Sequence, residues 1–234
     1  YVVETCSDPI DGDDGILLSE PSHLVPGCAP VYPAYLTYQS DAPDPEAIDQ
    51  MITDVGCIAT LGTSGCGWEQ PLKAVRRAFS HAREGGPNSG IFRDGSIRVV
   101  VFLTDEDDAS VLEDPESEII FDTTRTDLGH LNLRAFLHPY LLEPEETSIE
   151  FLGKSPGFIV ELIVGVPEDP ACEGPGNAIG GCLDHPLMIE EIDPADPTRL
   201  RPSCNTSTGL AFPPRRLVQV AQGLGDQALV HSFC

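Results

Sequence analysis

The chain has 234 residues, of which 41% are hydrophobic, and 13 Lys and Arg stand against 38 Asp and Glu, a formal net charge of −25. This apolar content is sufficient for a buried core, which excludes a disordered chain. The negative charge argues against binding to nucleic acid or to an anionic membrane surface and favours cations or basic partners. A simpler interpretation is that the charge only keeps an exported protein soluble.

The cysteines indicate an oxidising compartment. Eight cysteines are many for a cytosolic protein of this length, and they form no paired C-x-x-C knuckles. We interpret them as disulfides in an exported protein that is extracellular, on the cell surface or in the periplasm. Zinc is the alternative, but the later cysteines are too widely spaced for a standard knuckle. The set is Cys6, Cys28, Cys57, Cys66, Cys172, Cys182, Cys204 and Cys234.

The ends of the sequence suggest a trimmed product. No apolar run approaches the ~20 residues of a membrane span. No signal peptide precedes Tyr1, so we expect a processed chain whose upstream part is missing.

The first part of the chain predicts little regular structure. Residues 1–6 are expected to form a short strand. Residues 8–14 contain four Asp but have the wrong spacing for a calcium loop, so we interpret them as a turn. Residues 19–44 are rich in Pro and Tyr and predict a long loop held by Cys6 and Cys28.

Asp44 and Pro45 predict the start of a helix, with an acid at the N-cap and a proline in the first turn. Its apolar residues recur at helical spacing and are expected to face the core. They are Ile48, Met51, Ile52, Val55 and Ile58.

A loop of small residues, GTSGCG at 62–67, separates this helix from a second one at about 68–83. The loop lacks the Gly-Lys-Ser/Thr ending of a phosphate loop. The hydroxyls of Thr63 and Ser64 could join the coordination shell of a metal or could cap the second helix. Cys57 and Cys66 are close enough along the chain to form a disulfide bond. The buried stripe predicted for the second helix is Leu72, Val75, Ala78, Phe79 and Ala82.

The apolar run at 97–103 is too short for a typical helix and rich in β-branched residues, which predicts a strand buried on both faces. It ends in Thr104 and four acidic residues, 105–108. Ligands of open α/β sheets bind beyond the carboxyl ends of the strands, and clustered carboxylates repel each other unless a cation or donors lie among them. The loop is therefore either a divalent-metal loop or a solvated acidic turn that caps the next helix.

The second half predicts further α/β alternation. Residues 109–142 are poorly patterned, and His130 and His138 are interpreted as surface or hydrogen-bonded histidines rather than metal ligands, since no third ligand has matching spacing. A short helix is expected at 145–153, a buried strand at 157–166, disulfide-held loops at 168–214, a helix at 213–224 and a strand at 227–233. Helices that alternate with buried strands predict a doubly wound α/β fold, with a mostly parallel sheet covered on both faces.

Three segments together resemble a von Willebrand factor A-type domain, in the divergent cysteine-containing form of exported myxobacterial proteins. They are LGTSGCGWEQPLKAVRRAF (61–79), VVVFLTDEDD (99–108) and PPRRLVQVAQGLGDQALVHSFC (213–234). The resemblance implies a single von Willebrand A-like domain over 1–234, with loop insertions at 19–44 and 168–214.

The resemblance also implies a divalent-metal site for Ca²⁺ or Mg²⁺. Asp105 matches the Asp of the third loop of that site. Cys66 stands where the second-loop Thr is usual, and Thr63 and Ser64 are neighbours that could substitute. The first-loop Asp-x-Ser-x-Ser is absent, so a site of the family type would be incomplete.

The strand that carries that motif in the family is central in the sheet, and it is absent here. Unpaired buried backbone groups cost about 1 to 3 kcal/mol each. We therefore expect this strand to be supplied from outside the chain, by a protein partner or by another part of the same precursor.

Three functions follow from these expectations. The first is a non-catalytic extracellular binding or assembly module with a degenerate metal site. The second is a purely structural subunit of an extracellular assembly without metal. The third is a metal-dependent hydrolase, which is disfavoured because the chain has neither an HExxH nor a G-x-S-x-G motif.

Overall fold

A computed structural model describes residues 14–19, 26–39, 41, 44–60, 69–110, 157–207 and 209–234. Several sequence predictions fall outside these ranges. They concern the strand at 1–6, Cys6, the loop with Thr63, Ser64 and Cys66, His130, His138 and the helix at 145–153.

The described chain is a mixed α/β protein. Its helices are α1 (Pro45–Ala59), α2 (Pro71–Ser80) and α3 (Arg215–Leu224), with short 3-10 turns at Cys182–Asp184, Pro186–Met188 and Gly225–Gln227. Its strands are β1 (Arg98–Thr104), β2 (Phe158–Val164), β3 (Gly174–Pro175), β4 (Ile192–Asp193), β5 (Asp196–Leu200), β6 (Cys204–Asn205), β7 (Leu210–Ala211) and β8 (Ala228–Ser232).

The main sheet of the described residues has four strands in the order β1-β2-β8-β3. β1, β2 and β8 are parallel, whereas β3 is antiparallel to β8. Two small antiparallel pairs, β4-β5 and β6-β7, lie outside this sheet. The prediction of a parallel sheet is therefore confirmed for three strands.

One face of this sheet forms the core against α3. Val160, Leu162 and Val164 of β2 are buried on this face, while the residues between them are half-buried. The helix predicted at 213–224 is confirmed as α3, and its Leu217 and Val220 are fully buried. Helix α3 contacts both β2 and β8.

β1 contradicts the prediction of a strand buried on both faces. Its side chains alternate: Phe102 is buried, whereas Val99, Val101 and Leu103 are 54%, 53% and 66% exposed. Ile97 lies on the same exposed side. These side chains project from the face of the sheet opposite α3, where Leu229 of β8 is exposed as well. Within the described chain β1 is also an edge strand that pairs only with β2.

The described chain divides into two compact units, with a boundary inside α2. The first contains the sheet strands and α3, and the second contains α1 and the segment after α2. In the second unit the predicted N-cap is confirmed, since the Asp44 side chain accepts a hydrogen bond from the N–H of Glu46 at 3.0 Å.

The predicted core face of α1 is wrong. Ile48, Ile52 and Val55 are exposed, and Cys57 is the buried residue of this helix. The apolar spacing correctly indicates a helix, but periodicity does not reveal which surface covers the apolar stripe.

The described cysteines form three disulfides, Cys28–Cys57, Cys172–Cys182 and Cys204–Cys234. The predicted Cys57–Cys66 bond is wrong, as is a bond between Cys6 and Cys28, because Cys28 and Cys57 bond to each other. Nearness in sequence favoured the wrong partner. The bond instead joins the last turns of α1 to a loop 29 residues earlier.

Candidate functional site

The loop after β1 separates its acidic residues into two groups. Asp105 is exposed and Glu106 is half-buried, whereas Asp107 and Asp108 are buried. The exposed pair and the buried pair have different surroundings, and therefore different chemistry.

Asp107 caps helix α3. Its two carboxylate oxygens accept hydrogen bonds from the backbone N–H of Arg216 at 3.1 and 3.0 Å, and one of them also accepts from the N–H of Leu217 at 3.3 Å. The first N–H groups of a helix lack partners within the helix, and a carboxylate there is also favoured by the helix dipole.

Asp108 connects α2 to α3. Its Oδ1 accepts from the N–H of Leu72 at 3.0 Å and from the Ser110 hydroxyl at 2.6 Å. Its Oδ2 accepts from the Ser110 N–H at 2.9 Å and from Nη1 of Arg216 at 2.6 Å. Burial raises the pKa of Asp108, and the charge of Arg216 acts in the opposite direction.

These contacts correct the interpretation of the loop as a solvated acidic turn that caps the next helix. The acids that cap helices are Asp107 and Asp108, and they are buried rather than solvated. They cap α3 and α2, which are separated from the loop by 108 and 36 residues along the chain. No local sequence pattern could have indicated these partners.

Glu69, Asp105 and Glu106 form a second group, which we call the carboxylate cluster. Burial, then the charge of Glu106, raises the pKa of Glu69 to about 7, and Asp105 acts in the same direction. The N–H of Glu106 donates to the Thr104 hydroxyl at 3.2 Å, which closes the strand end. Glu69 could not be recognised as a member of this group from the sequence, because nothing in its sequence surroundings links it to β1.

The predicted metal ligands are only partly within the described chain. Thr63 and Ser64 lie outside it, and the backbone carbonyl of Asp105 accepts from the N–H of Phe212 at 2.9 Å. Among the described residues, no group of three His, Cys, Asp or Glu side chains is placed to hold a metal ion. The neighbouring acids cap helices, so we derive no metal-dependent step. A Ca²⁺ or Mg²⁺ site stays a prediction.

The outer edge of β1 is a second feature that the sequence did not indicate. The N–H of Arg98 donates to the carbonyl of Gly157 at 2.8 Å, on the β2 side. Because backbone groups alternate between the two edges of a strand, those of Val99, Val101 and Leu103 point away from β2. Within the described chain no strand pairs with this side, which we call the open edge.

A third arrangement of charged groups lies in the second unit. Asp14 accepts from Arg77 and lies 2.8 Å from Nε2 of His81. The hydrogen bond with His81 is the main cause that lowers the pKa of Asp14, and Arg77 adds to it. Asn88 donates to the carbonyls of Gly15 and Ala78, so this group ties the segment at 14–19 to α2.

Comparisons with models of protein families, with curated proteins and with solved structures find no match to this chain. In the described part of the chain, no helix combines the length and the apolar character needed to cross a membrane.

Proposed function

We propose that this chain is a non-catalytic binding or assembly module that takes an extended segment of another polypeptide along the open edge of β1. The observation that carries the proposal is the coincidence of two features at the same three residues. Val99, Val101 and Leu103 direct their backbone groups to the open edge, and their apolar side chains are exposed.

An open edge of this kind favours association. Natural sheets protect edge strands with charged residues, proline, bulges or a covering element. After Arg98, its first residue, β1 contains no charged residue and no proline. An added strand would supply partners for the exposed backbone groups, and each apolar side chain that it buried would contribute about 1 to 2 kcal/mol.

The face of the sheet beside the open edge also carries exposed apolar groups. In the register of the sheet, Val101 lies beside Glu161 of β2, and Glu161 lies beside Leu229 of β8. Leu229 is exposed, and Glu161 lies 3.4 Å from His231. Parallel sheets are ordinarily covered on both faces. A partner would therefore cover apolar groups on this face as well as pair with β1.

The export of the chain and a doubly wound fold of von Willebrand A type belong to the same proposal. Disulfides persist mainly in oxidising compartments, which supports export. The parallel order of β1, β2 and β8 supports the fold. The partner would be another part of the same precursor or a separate protein.

A purely structural subunit is the second candidate. It is favoured by the use of Asp107 and Asp108 as helix caps, which leaves the loop after β1 fixed to α2 and α3. In this case the open edge would have no partner to bind.

The test is amide hydrogen exchange in the presence of a seven-residue peptide that alternates Val and Thr, matched to the length of β1. We expect the peptide to slow exchange at Val99, Val101 and Leu103. A Val101→Lys variant should lose this protection, because a charge on an edge strand opposes pairing. The matched control is Leu187→Lys, which places the same charge on another exposed apolar position. If no peptide protects these amides, the proposal is wrong.

A further inference from the structure

The two ends of β1 differ in charge. Arg93 and Asp94, just before its amino end, are exposed and of opposite sign. At its carboxyl end lies the carboxylate cluster, with Asp105 exposed and Glu69 and Glu106 half-buried. Arg98 is the first residue of β1, so a segment laid along the open edge passes a net charge of +1 at the amino end and three acids at the other.

The two arginines that begin helix α3 are directed to other partners. Arg216 donates through Nη1 to Asp108, and Arg215 donates to the carbonyls of Leu183 and Met188. The raised pKa of Glu69, to about 7, has the repulsion from Glu106 and Asp105 among its causes. A positive charge brought to this end would reduce that repulsion.

The three long strands of the sheet favour a parallel segment beside β1, whereas β3 at the other edge is antiparallel to β8. β2 and β8 both run parallel to β1. A strand that continues this arrangement has its own carboxyl-terminal end beside the carboxylate cluster.

Resting on the proposed function, we infer that the partner of β1 is a parallel strand of alternating apolar residues whose carboxyl-terminal end carries a Lys or Arg that pairs with Glu69, Asp105 and Glu106. The apolar alternation buries Val99, Val101 and Leu103, and the basic residue determines direction and register. The partner is thus defined by the position of its charge as well as by its hydrophobicity.

The experiment compares three capped peptides with the same Val-Thr core, acetylated and amidated to remove terminal charges. One carries Lys at its carboxyl-terminal end, one carries Lys at its amino-terminal end, and one carries Gln at both. The two Lys peptides have the same charge, so general attraction to a chain of net charge −25 affects them equally. We expect the first to bind about fivefold more tightly than the second, at the upper end of what an exposed ion pair provides.

Two variants of the chain test whether the carboxylate cluster causes the preference for the carboxyl-terminal Lys. Glu106→Gln should remove most of the preference for the carboxyl-terminal Lys. Asp94→Asn, which removes one charge at the opposite end of β1, should leave the preference in place. The preference should also decrease with added salt, because exposed charges are screened.

The outcomes separate the inference from the proposed function. If the uncharged peptide protects the β1 amides but the two Lys peptides bind equally, or the amino-terminal Lys binds more tightly, this inference fails and the proposed function stands. If none of the peptides protects these amides, the proposed function itself fails. A dimer that protects the same amides without peptide would assign the open edge to a second copy of the chain and overturn the inference.

Discussion

Asp107 and Asp108 are adjacent in the sequence, yet each binds the amino end of a different helix. Asp107 accepts from α3, and Asp108 accepts from α2 and from the guanidinium of Arg216. One dipeptide thereby fixes two helices to the carboxyl end of β1. Charges buried in this way are costly when one partner is removed.

Asp108→Asn should strongly destabilise the first unit. The amide cannot neutralise Arg216, whose side chain is 7% exposed, and breaking a buried ion pair by removing one partner costs about 3 to 5 kcal/mol. Urea denaturation measures the loss. The control is Asp105→Asn at the exposed position of the same loop, which should change stability by less than about 0.5 kcal/mol. Equal losses in both variants would contradict the role given to Asp108.

Glu69 should make stability depend on pH. Its pKa in the folded chain, about 7, lies above the ordinary value of 4.5, so the folded state keeps a proton that the unfolded state releases. Stability from this group is complete below about pH 4.5 and is lost as the pH rises toward 7.

Glu69→Gln removes this dependence. Relative to the unmodified chain, the variant should gain in Tm as the pH rises from about 5 to about 8. Thermal melts across this range give the comparison, with Asp94→Asn as a control that removes an exposed charge. A Tm difference that stays constant with pH would contradict the raised pKa of Glu69.

Comparison of the predicted and observed helices and strands shows what an apolar sequence pattern can and cannot predict. β2, α3 and β8 follow their predictions closely, because each has an apolar pattern that its position in the sheet satisfies. β1 and α1 are a strand and a helix as predicted, but their predicted burial is wrong. A pattern specifies the element, whereas burial depends on neighbours that the pattern does not contain.

The acidic loop after β1 also shows that a sequence pattern does not indicate which residues are buried. The sequence indicated that acids follow β1, but it could not indicate which of them are buried. Asp108 is bound by Leu72, 36 residues earlier, and by Arg216, 108 residues later. Glu69 joins Asp105 and Glu106 only in three dimensions. Such contacts follow from the fold and are not encoded in local spacing.

Helix α3 is approached closely by the segment after β3. A Cβ added at Gly176 would lie 1.9 Å from the carbonyl oxygen of Ala221, so the segment cannot stay in place with any larger residue. Gly176→Ala should therefore cost about 1 to 3 kcal/mol, as overpacking does. Gly180→Ala is the matched control, since an added Cβ there meets nothing within 4 Å. Differential scanning calorimetry of both variants tests this, and equal Tm values would contradict the close approach.

The net negative charge of the chain destabilises its compact folded state. With 13 basic against 38 acidic side chains, the net charge is −25. Like charges destabilise a compact state, and salt screens them.

Raising NaCl from about 0.02 M to about 0.5 M should therefore raise the Tm, because the Debye length falls from about 20 Å to about 4 Å. Thermal melts monitored by circular dichroism give the result. The control is an equal osmolality of an uncharged solute, which does not screen charge. A Tm that falls with NaCl would show that attractive pairs such as Arg216 with Asp108 outweigh the repulsion.

The bond between Cys204 and Cys234 changes how the chain would respond to mechanical force. Tension applied through Cys234 passes directly to Cys204 and bypasses the residues between them, which include α3 and β8. The bond joins cysteines 30 residues apart. At about 3.6 Å per residue, the enclosed loop would extend by about 11 nm, and it cannot be stretched until the bond is reduced. β8, which lies between β2 and β3 in the sheet, is inside the loop that this bond closes, so a pull through Cys234 does not load it directly.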